Sequence, residues 1–286
     1  MKRGKKNMVW SLAVAALIAG ILIWFIVPYS PTKAEFAKLT SYQMTKTMTQ
    51  GGIITSEDIA ELPLPVQKYF QYCGYIGKSK MSNMIMHFND VDFVLTPDKP
   101  KLKIKYTQYN YVAEPERFAN INTSLYGIPF EGIDAYQNGA GSMKGVIAKT
   151  FTLFDQKGEA MDQASLVTCL AESLLLPTLA LQEYISWEEI DETHAQAVIN
   201  FYGISASGIF TFDDNGAMTR FTTNDREYTD TKGNSQKVKW LAVCGDYEEV
   251  DGIKYPSNLK AVWHLETGDL VYFDGRDITV KYDVSK

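Results

Sequence analysis

Cysteine and histidine are scarce, three of each in 286 residues. Cys73, Cys169 and Cys244 are odd in number and widely spaced, so no disulfide framework or zinc spacing emerges; one disulfide among them remains open. His87, His194 and His264 show no H-E-x-x-H or other paired spacing, and each alternates with the apolar face of a strand. Neither a metal nor a cofactor is called for. A G-x-S-x-G elbow is absent, so serine hydrolysis lacks its usual signature, and no phosphate-cradling or dinucleotide motif occurs. Positive charge is also short, with 28 Lys+Arg against 34 Asp+Glu. Leaving out the first 28 residues removes four basic groups, so 24 cations face 34 anions and the remaining 258 residues carry −10. Nucleic acid would repel such a surface and is excluded as a partner.

What the chain does have is one long apolar run. Met8 to Val27 is uncharged throughout and follows Lys2, Arg3, Lys5 and Lys6. At about 1.5 Å per residue these twenty residues span roughly 30 Å, the thickness of a bilayer's hydrocarbon core. A cleaved signal peptide would have a shorter apolar core and an A-x-A-like site; the nearest candidate, Thr32-Lys33-Ala34, has lysine in its middle and Pro31 before it. The run therefore reads as an uncleaved signal anchor. Positive charge before it leaves the N-terminus cytoplasmic and the main domain extracytoplasmic, tethered to the cell membrane by a single pass. The expected organisation is a basic tail over 1–7, a transmembrane anchor over 8–29, a helical stalk over 30–60 and one domain over 61–286.

Within that domain, Val66, Tyr69, Phe70 and Cys73 recur at helical spacing, and Gly74 closes the pattern. After Met81 the period becomes two. Leu102, Ile104 and Tyr106 alternate with lysines, and similar alternation runs through 194–202, 204–213, 259–265 and 278–284. Asp213 to Gly216, Asp251-Gly252 and Thr267-Gly268-Asp269 supply hairpin turns. One long apolar helix, from about Asp162 to Gln182, interrupts the strands, with Pro177 kinking it or ending a segment. Its leucines face nearly every direction, so it should be enclosed. A one-faced meander must cover its dry face. The fold class expected is mainly β (α+β): a curved antiparallel half-barrel of about ten strands around an apolar helix. A loosely fitting helix would leave an apolar cavity; a tightly fitting one would leave a filled core.

Candidate ligand-binding residues follow from that picture. Leu170, Leu174 and Leu175 would border the cavity. Glu172 is an acid within an apolar helix, where burial raises a carboxyl's pKa; it is either a ligand-contacting acid or a structural carboxylate paired with Arg220 or a backbone donor. Asp134 and Tyr136 share one face of a strand and suit a polar headgroup, or else form a sheet edge. Trp187 is a core aromatic or lies near a cavity mouth. Glu114 with Glu116, and Glu188 with Glu189, are expected on opposite strand faces and so make poor acid–base pairs. No catalytic residue is assigned.

Two resemblances extend this reading. Phe210 to Gly216, followed by Asp246-Tyr247-Glu248-Glu249-Val250-Asp251-Gly252 and Pro256, resembles the terminal strands of the lipoprotein-carrier (LolA/LolB-like) half-barrel group. Leu62-Pro63-Leu64-Pro65-Val66, Asp134-Ala135-Tyr136 with Gly139 and Gly141, Leu170-Ala171-Glu172 and Trp187 to Asp191 resemble an uncharacterised bacterial family of membrane-anchored proteins. The carrier resemblance implies an incomplete barrel with internal helices that holds acyl chains. This chain departs from the second family at Thr168-Cys169, where an arginine and an aromatic are expected. The function expected is an envelope binding protein whose partner is a lipid or other apolar small molecule. The alternatives are a non-catalytic interaction or structural domain, and a lipid or glycan hydrolase acting through Glu172 or Asp134.

Overall fold

The computed structural model describes residues 2–47, 51–95, 99–229 and 234–284. The side chains of the basic tail, and residues 48–50 of the stalk range, lie outside the described residues. Six strands come first: β1 (Asn83–Phe93), β2 (Leu102–Tyr111), β3 (Arg117–Leu125), β4 (Ile128–Gln137), β5 (Ala140–Ile147) and β6 (Phe151–Lys157). After the helical insert come β7 (Ile185–Asp191), β8 (His194–Phe201), β9 (Ile204–Phe212), β10 (Met218–Thr223), a small ribbon of β11 (Glu227–Thr229) and β12 (Ser235–Lys237), then β13 (Trp240–Val250), β14 (Ile253–Leu265) and β15 (Gly268–Tyr282).

Thirteen of these strands form one curved antiparallel sheet, in the order β6-β5-β4-β3-β2-β1-β15-β14-β13-β10-β9-β8-β7. The last strand closes onto the first, Met84 facing Tyr282 and Phe93 facing Phe273, and this pairing joins the two halves. Thirteen strands replace the ten expected, because β1 and β3 to β5 carry mixed residues whose alternation is weak. Extra residues bend the sheet, one on β1 between Phe88 and Val91, Leu153 on β6 opposite Gly145-Val146, and Tyr272 on β15 opposite Ala261-Val262. β6 and β7 remain unpaired with each other, so the barrel is not closed. The curl nevertheless brings the β4–β5 turn against the β8–β9 turn: a Cβ on Gly139 would lie 2.7 Å from the Tyr202 Cβ.

The antiparallel pairing puts the β1–β2, β3–β4, β5–β6 and β14–β15 turns on one rim, here the upper rim. The β2–β3, β4–β5 and β13–β14 turns form the lower rim. Helix α3 (Leu64–Tyr72) covers the lower rim. Its Val66, Tyr69 and Phe70, with Cys73 just beyond it, have no exposed surface, as the helical spacing predicts. Tyr69 packs 5.8 Å from Phe212. The backbone binds there too, Lys254 N–H donating to the Cys73 carbonyl at 2.9 Å.

The expected 21-residue helix is three short pieces. Helix α4 (Glu159–Ala171) ends at Glu172, a 3-10 turn covers Ser173–Leu175, and α5 (Pro177–Ala180) restarts at the proline. Pro177 cannot donate to the preceding turn, and it is tolerated at a first helical position. Helix α4 lies inside the curl, between β5 and β9. Gly141 allows this: a Cβ there would stand 2.3 Å from the Met161 carbonyl oxygen. The segment is enclosed, with Leu166, Val167, Leu170, Leu174 and Leu176 all at zero exposure.

Helix α1 (Lys2–Ile26) holds the apolar run; its side chains from Met8 to Ile23 are exposed, while Trp24 and Phe25 near its end are half-buried. Helix α2 (Pro31–Lys46), N-capped by Ser30, lies along the convex face rather than standing clear of the domain. Phe36, Leu39 and Met44 pack there on Tyr111, Phe118, Ile133 and Ala135. Lys33–Glu131 and Lys144–Glu35 ion pairs flank the contact. The three thiols are free and buried. Burial pushes Cys73 and Cys244 up to about 12, so neither is a thiolate at neutral pH.

Candidate functional site

Inward-facing positions alternate along β2, and their character changes toward the lower rim. Ile104 is apolar, Tyr106 is mixed, and Gln108 and Asn110 are buried amides. Asn110 pairs with Arg117, the first residue of β3, which pairs in turn with Tyr136 of β4. Glu172, the residue that follows the last turn of α4, meets these side chains.

The result is a polar node inside an apolar shell. Glu172 Oε2 accepts from Gln108 Nε2 at 2.7 Å, from Asn110 Nδ2 at 2.8 Å and from Arg117 Nε at 3.2 Å. Arg117 Nη1 donates to Asp134 Oδ2 at 2.7 Å, and Nη2 donates to Gln108 Oε1 at 2.8 Å and to the Tyr106 hydroxyl. Burial opposes the Arg117 cation, but Asp134 and Glu172 outweigh it and hold the guanidinium charged. Burial raises the Glu172 carboxyl above the ordinary glutamate range, with Arg117 and the two amides pulling the other way. Glu172 thus has three donors on one carboxylate oxygen. Its ionic partner is Arg117, not Arg220, which lies exposed on β10. Water still reaches the node: the Glu172 and Asp134 side chains keep 18% and 23% of their surface, against 6% for Arg117.

The other expected site residues distribute around this node. Asp134 belongs to it. Tyr136 shares the Asp134 face but is fully buried, its hydroxyl without a hydrogen-bond partner among the described residues and its ring 6.3 Å from Tyr202. Leu170 and Leu174 have no exposed surface and Leu175 only 3%. A cavity beside them large enough for water would appear as accessible surface, so the plug is tightly packed in this conformation. Trp187 is half-buried, donates to the Ala180 carbonyl at 3.0 Å and packs 5.1 Å from Phe210, bracing α5. Glu114 and Glu116, expected on opposite strand faces, lie instead in the β2–β3 turn, where both carboxylates meet the Tyr202 hydroxyl, at 2.8 and 3.4 Å. Among the described residues no three His, Cys, Asp or Glu side chains are grouped to hold a metal.

Above the node, the inner face is apolar and only partly covered. Leu102, Leu125, Phe154, Leu265 and Leu270, all toward the upper rim, pack against the core yet stay half-exposed, as do Ala242 and Ala261 on neighbouring strands. Phe88, Tyr106 and Phe273 connect this apolar zone to the node, with ring centroids 5.2 to 5.5 Å apart. Sequence reading missed Arg117, Gln108 and Asn110. The continued period of two on β2, turning from apolar to amide, was the available signal.

The family whose pattern matches residues 52–275 is DUF6544, a family of unknown function. The chain belongs to that family. No curated protein matches it. Among solved structures it is similar to a LolA superfamily protein from Nitrosomonas europaea, at 10% identity and TM-score 0.41, covering 77% of this chain and 94% of that one. It is similar to a DUF1329 family protein from Desulfovibrio piger, at 12% identity and TM-score 0.32, covering 90% and 95%. A domain from Vibrio parahaemolyticus described as an outer membrane lipoprotein-sorting protein matches at 11% identity and TM-score 0.29, covering 72% and 86%. At these scores the likenesses say nothing of what this chain binds.

Proposed function

We propose that this protein is a membrane-tethered binding protein that holds an apolar, lipid-like molecule in the upper groove of the half-barrel. The observation that carries the reading is the uneven cover of the inner face. Along the plug itself Leu166, Val167, Leu170, Leu174 and Leu176 have no exposed surface, whereas toward the upper rim Leu102, Leu125, Phe154, Leu265 and Leu270 are only half-buried. Partly covered, inward-facing apolar surface suits an acyl chain. The node beneath the groove gives it a polar floor.

The same rim lies beside the end of α1. Lys149, in the β5–β6 turn and almost fully buried, donates its Nζ to the carbonyls of Trp24, Val27 and Tyr29, at 2.8, 2.5 and 3.3 Å. Trp24 Nε1 returns a bond to the Ala148 carbonyl at 3.1 Å. Tyr126, Ile128, Phe151 and Leu153 are exposed on that rim. With α1 as a single-pass anchor, N-terminus cytoplasmic, these contacts support a domain held outside the membrane with its groove mouth toward the lipid. Residues 8–29 then act as anchor and 61–286 as the binding domain.

The test is lipid extraction from the full-length protein purified in a non-ionic detergent, together with uptake of a fluorescent fatty acid. The reading expects co-purifying lipid and saturable uptake, lost when Ala261 is replaced by tryptophan to fill the groove. Absence of both from folded protein overturns it. The tight plug supports a second reading, a non-catalytic interaction domain, and that reading expects neither lipid nor uptake.

A further inference from the structure

Two arginines reach the inner face, and they are satisfied differently. Arg117 is neutralised by two carboxylates. Arg226, just ahead of β11, has no acidic partner in an ion pair among the described residues. Its guanidinium carbon lies 4.4 Å from the centre of the Trp240 ring and 5.5 Å from that of Trp263. Nη1 donates to the Thr168 hydroxyl on α4 at 3.1 Å, and Nε is buried without a hydrogen-bond partner. Thr168 sits one helical turn before Glu172, so Arg226 and the node flank the same side of the plug.

Indole faces stabilise a guanidinium but accept no hydrogen bonds, so they hold the plane and leave its edge to other partners. The Nε edge is one that carboxylates and phosphates engage side-on. A half-buried cation whose donor is desolvated and unpaired is costly unless an anion completes it. Ala242 and Ala261, half-exposed on the strands that carry Trp240 and Trp263, leave apolar surface alongside. We propose that Arg226, stacked on Trp240 and Trp263, binds the anionic headgroup of an amphiphile, a carboxylate or phosphate, whose chain lies over Ala242 and Ala261. This rests on the groove reading above and specifies its ligand class.

The experiment uses full-length protein in dodecyl maltoside, titrated with laurate, dodecyl phosphate, dodecanol and inorganic phosphate, with bound ligand counted by native mass spectrometry. The detergent competes equally for the chain site, so the ratio between probes reports the headgroup. Laurate and dodecyl phosphate are expected to bind about tenfold tighter than dodecanol. R226Q should bring the three within about twofold, while R220Q, at an exposed arginine, keeps the preference. Wild-type protein that binds acid and alcohol equally overturns the headgroup site without any variant, and so does R226Q that folds and retains the preference. Inorganic phosphate matching dodecyl phosphate overturns the amphiphile in favour of a free-anion site. Failure of all chain-bearing probes on wild type defeats the groove reading itself, a distinct outcome.

Discussion

Replacing Arg117 with methionine keeps the aliphatic stem and removes every charged donor of the node. Four hydrogen bonds disappear, two of them to carboxylates, and the Tyr106 hydroxyl and Gln108 carbonyl lose their donor. Removing one partner of a buried ion pair costs about 3–5 kcal/mol. Glu172 and Asp134 are not fully enclosed, with 18% and 23% of their side-chain surface reachable, so water recovers part of the loss. Without the guanidinium, Glu172 also rises further and takes up a proton, which caps the penalty. The lower end, about 3 kcal/mol at pH 7, is therefore expected for R117M. For a chain of this size that corresponds to a fall in Tm of about 6–12 °C, measured by thermal unfolding of full-length protein in non-ionic detergent. The decisive comparison is the same substitution in a D134N/E172Q background, where Arg117 is itself the unpaired charge. There R117M should cost at least 1 kcal/mol less, roughly, than in wild type. Equal costs in both backgrounds, or a Tm change within about 2 °C in wild type, would refute a node held together by charge.

Glu172 also gives the fold a pH signature. Its folded pKa is raised by burial, so the native state holds the proton more tightly than the unfolded chain, and the contribution present at low pH is lost as pH rises through the raised value. The stability difference between wild type and E172Q should therefore shift against wild type as pH climbs from about 4.5; a difference flat from pH 4 to 8 contradicts the raised carboxyl. Gly141→Ala would force its methyl group against the Met161 carbonyl and the Ser165 hydroxyl, 2.3 and 2.5 Å from the new carbon. It should push α4 off β5 and destabilise by about 1–3 kcal/mol in thermal unfolding, whereas Gly51→Ala, with nothing within 4 Å, should change little. Lys149→Met removes the donor that holds the end of α1. Proteolytic cleavage between residues 27 and 31 should quicken several-fold while the Tm of the domain moves by less than about 4 °C; unchanged cleavage contradicts a fixed helix end.

The elements legible in the sequence were those whose stabilising interactions are local. The lower-rim helix announced itself through Val66, Tyr69, Phe70 and Cys73, since one face at helical spacing is all that its burial requires. Asp251-Gly252 announced its hairpin, because both residues adopt positive φ, at 53° and 72°. The node was illegible for the opposite reason. Arg117 and Glu172 are 55 residues apart, and they meet only because the sheet curls far enough to carry β3 under the end of α4. Arg220 looked an equally good partner while the curl was unknown. Leucines facing every direction established that the plug is enclosed but not how tightly, since enclosure is a property of one helix and tightness of two facing surfaces.

The partition of the inner face follows from the same distinction. A strand whose inward residues run Leu102, Ile104, Tyr106, Gln108 and Asn110 changes from apolar to amide within its own length. Buried amides need partners, and the Glu172 carboxylate at the end of α4 accepts from both Gln108 and Asn110. The polar end of β2 thus selects the depth to which α4 can enter, because stopping short would leave Gln108, Asn110 and Arg117 facing apolar surface. With Glu172 fixed there, α4 packs between β5 and β9 and leaves Leu102, Leu125 and Leu270 toward the upper rim half-buried. A variant that removes the node's polarity altogether, Q108L/N110L/R117M/D134L/E172L, should release that depth constraint and reduce the uptake of fluorescent fatty acid by letting α4 slide toward the upper rim. Undiminished uptake by a folded variant would show that the groove is set by the sheet alone.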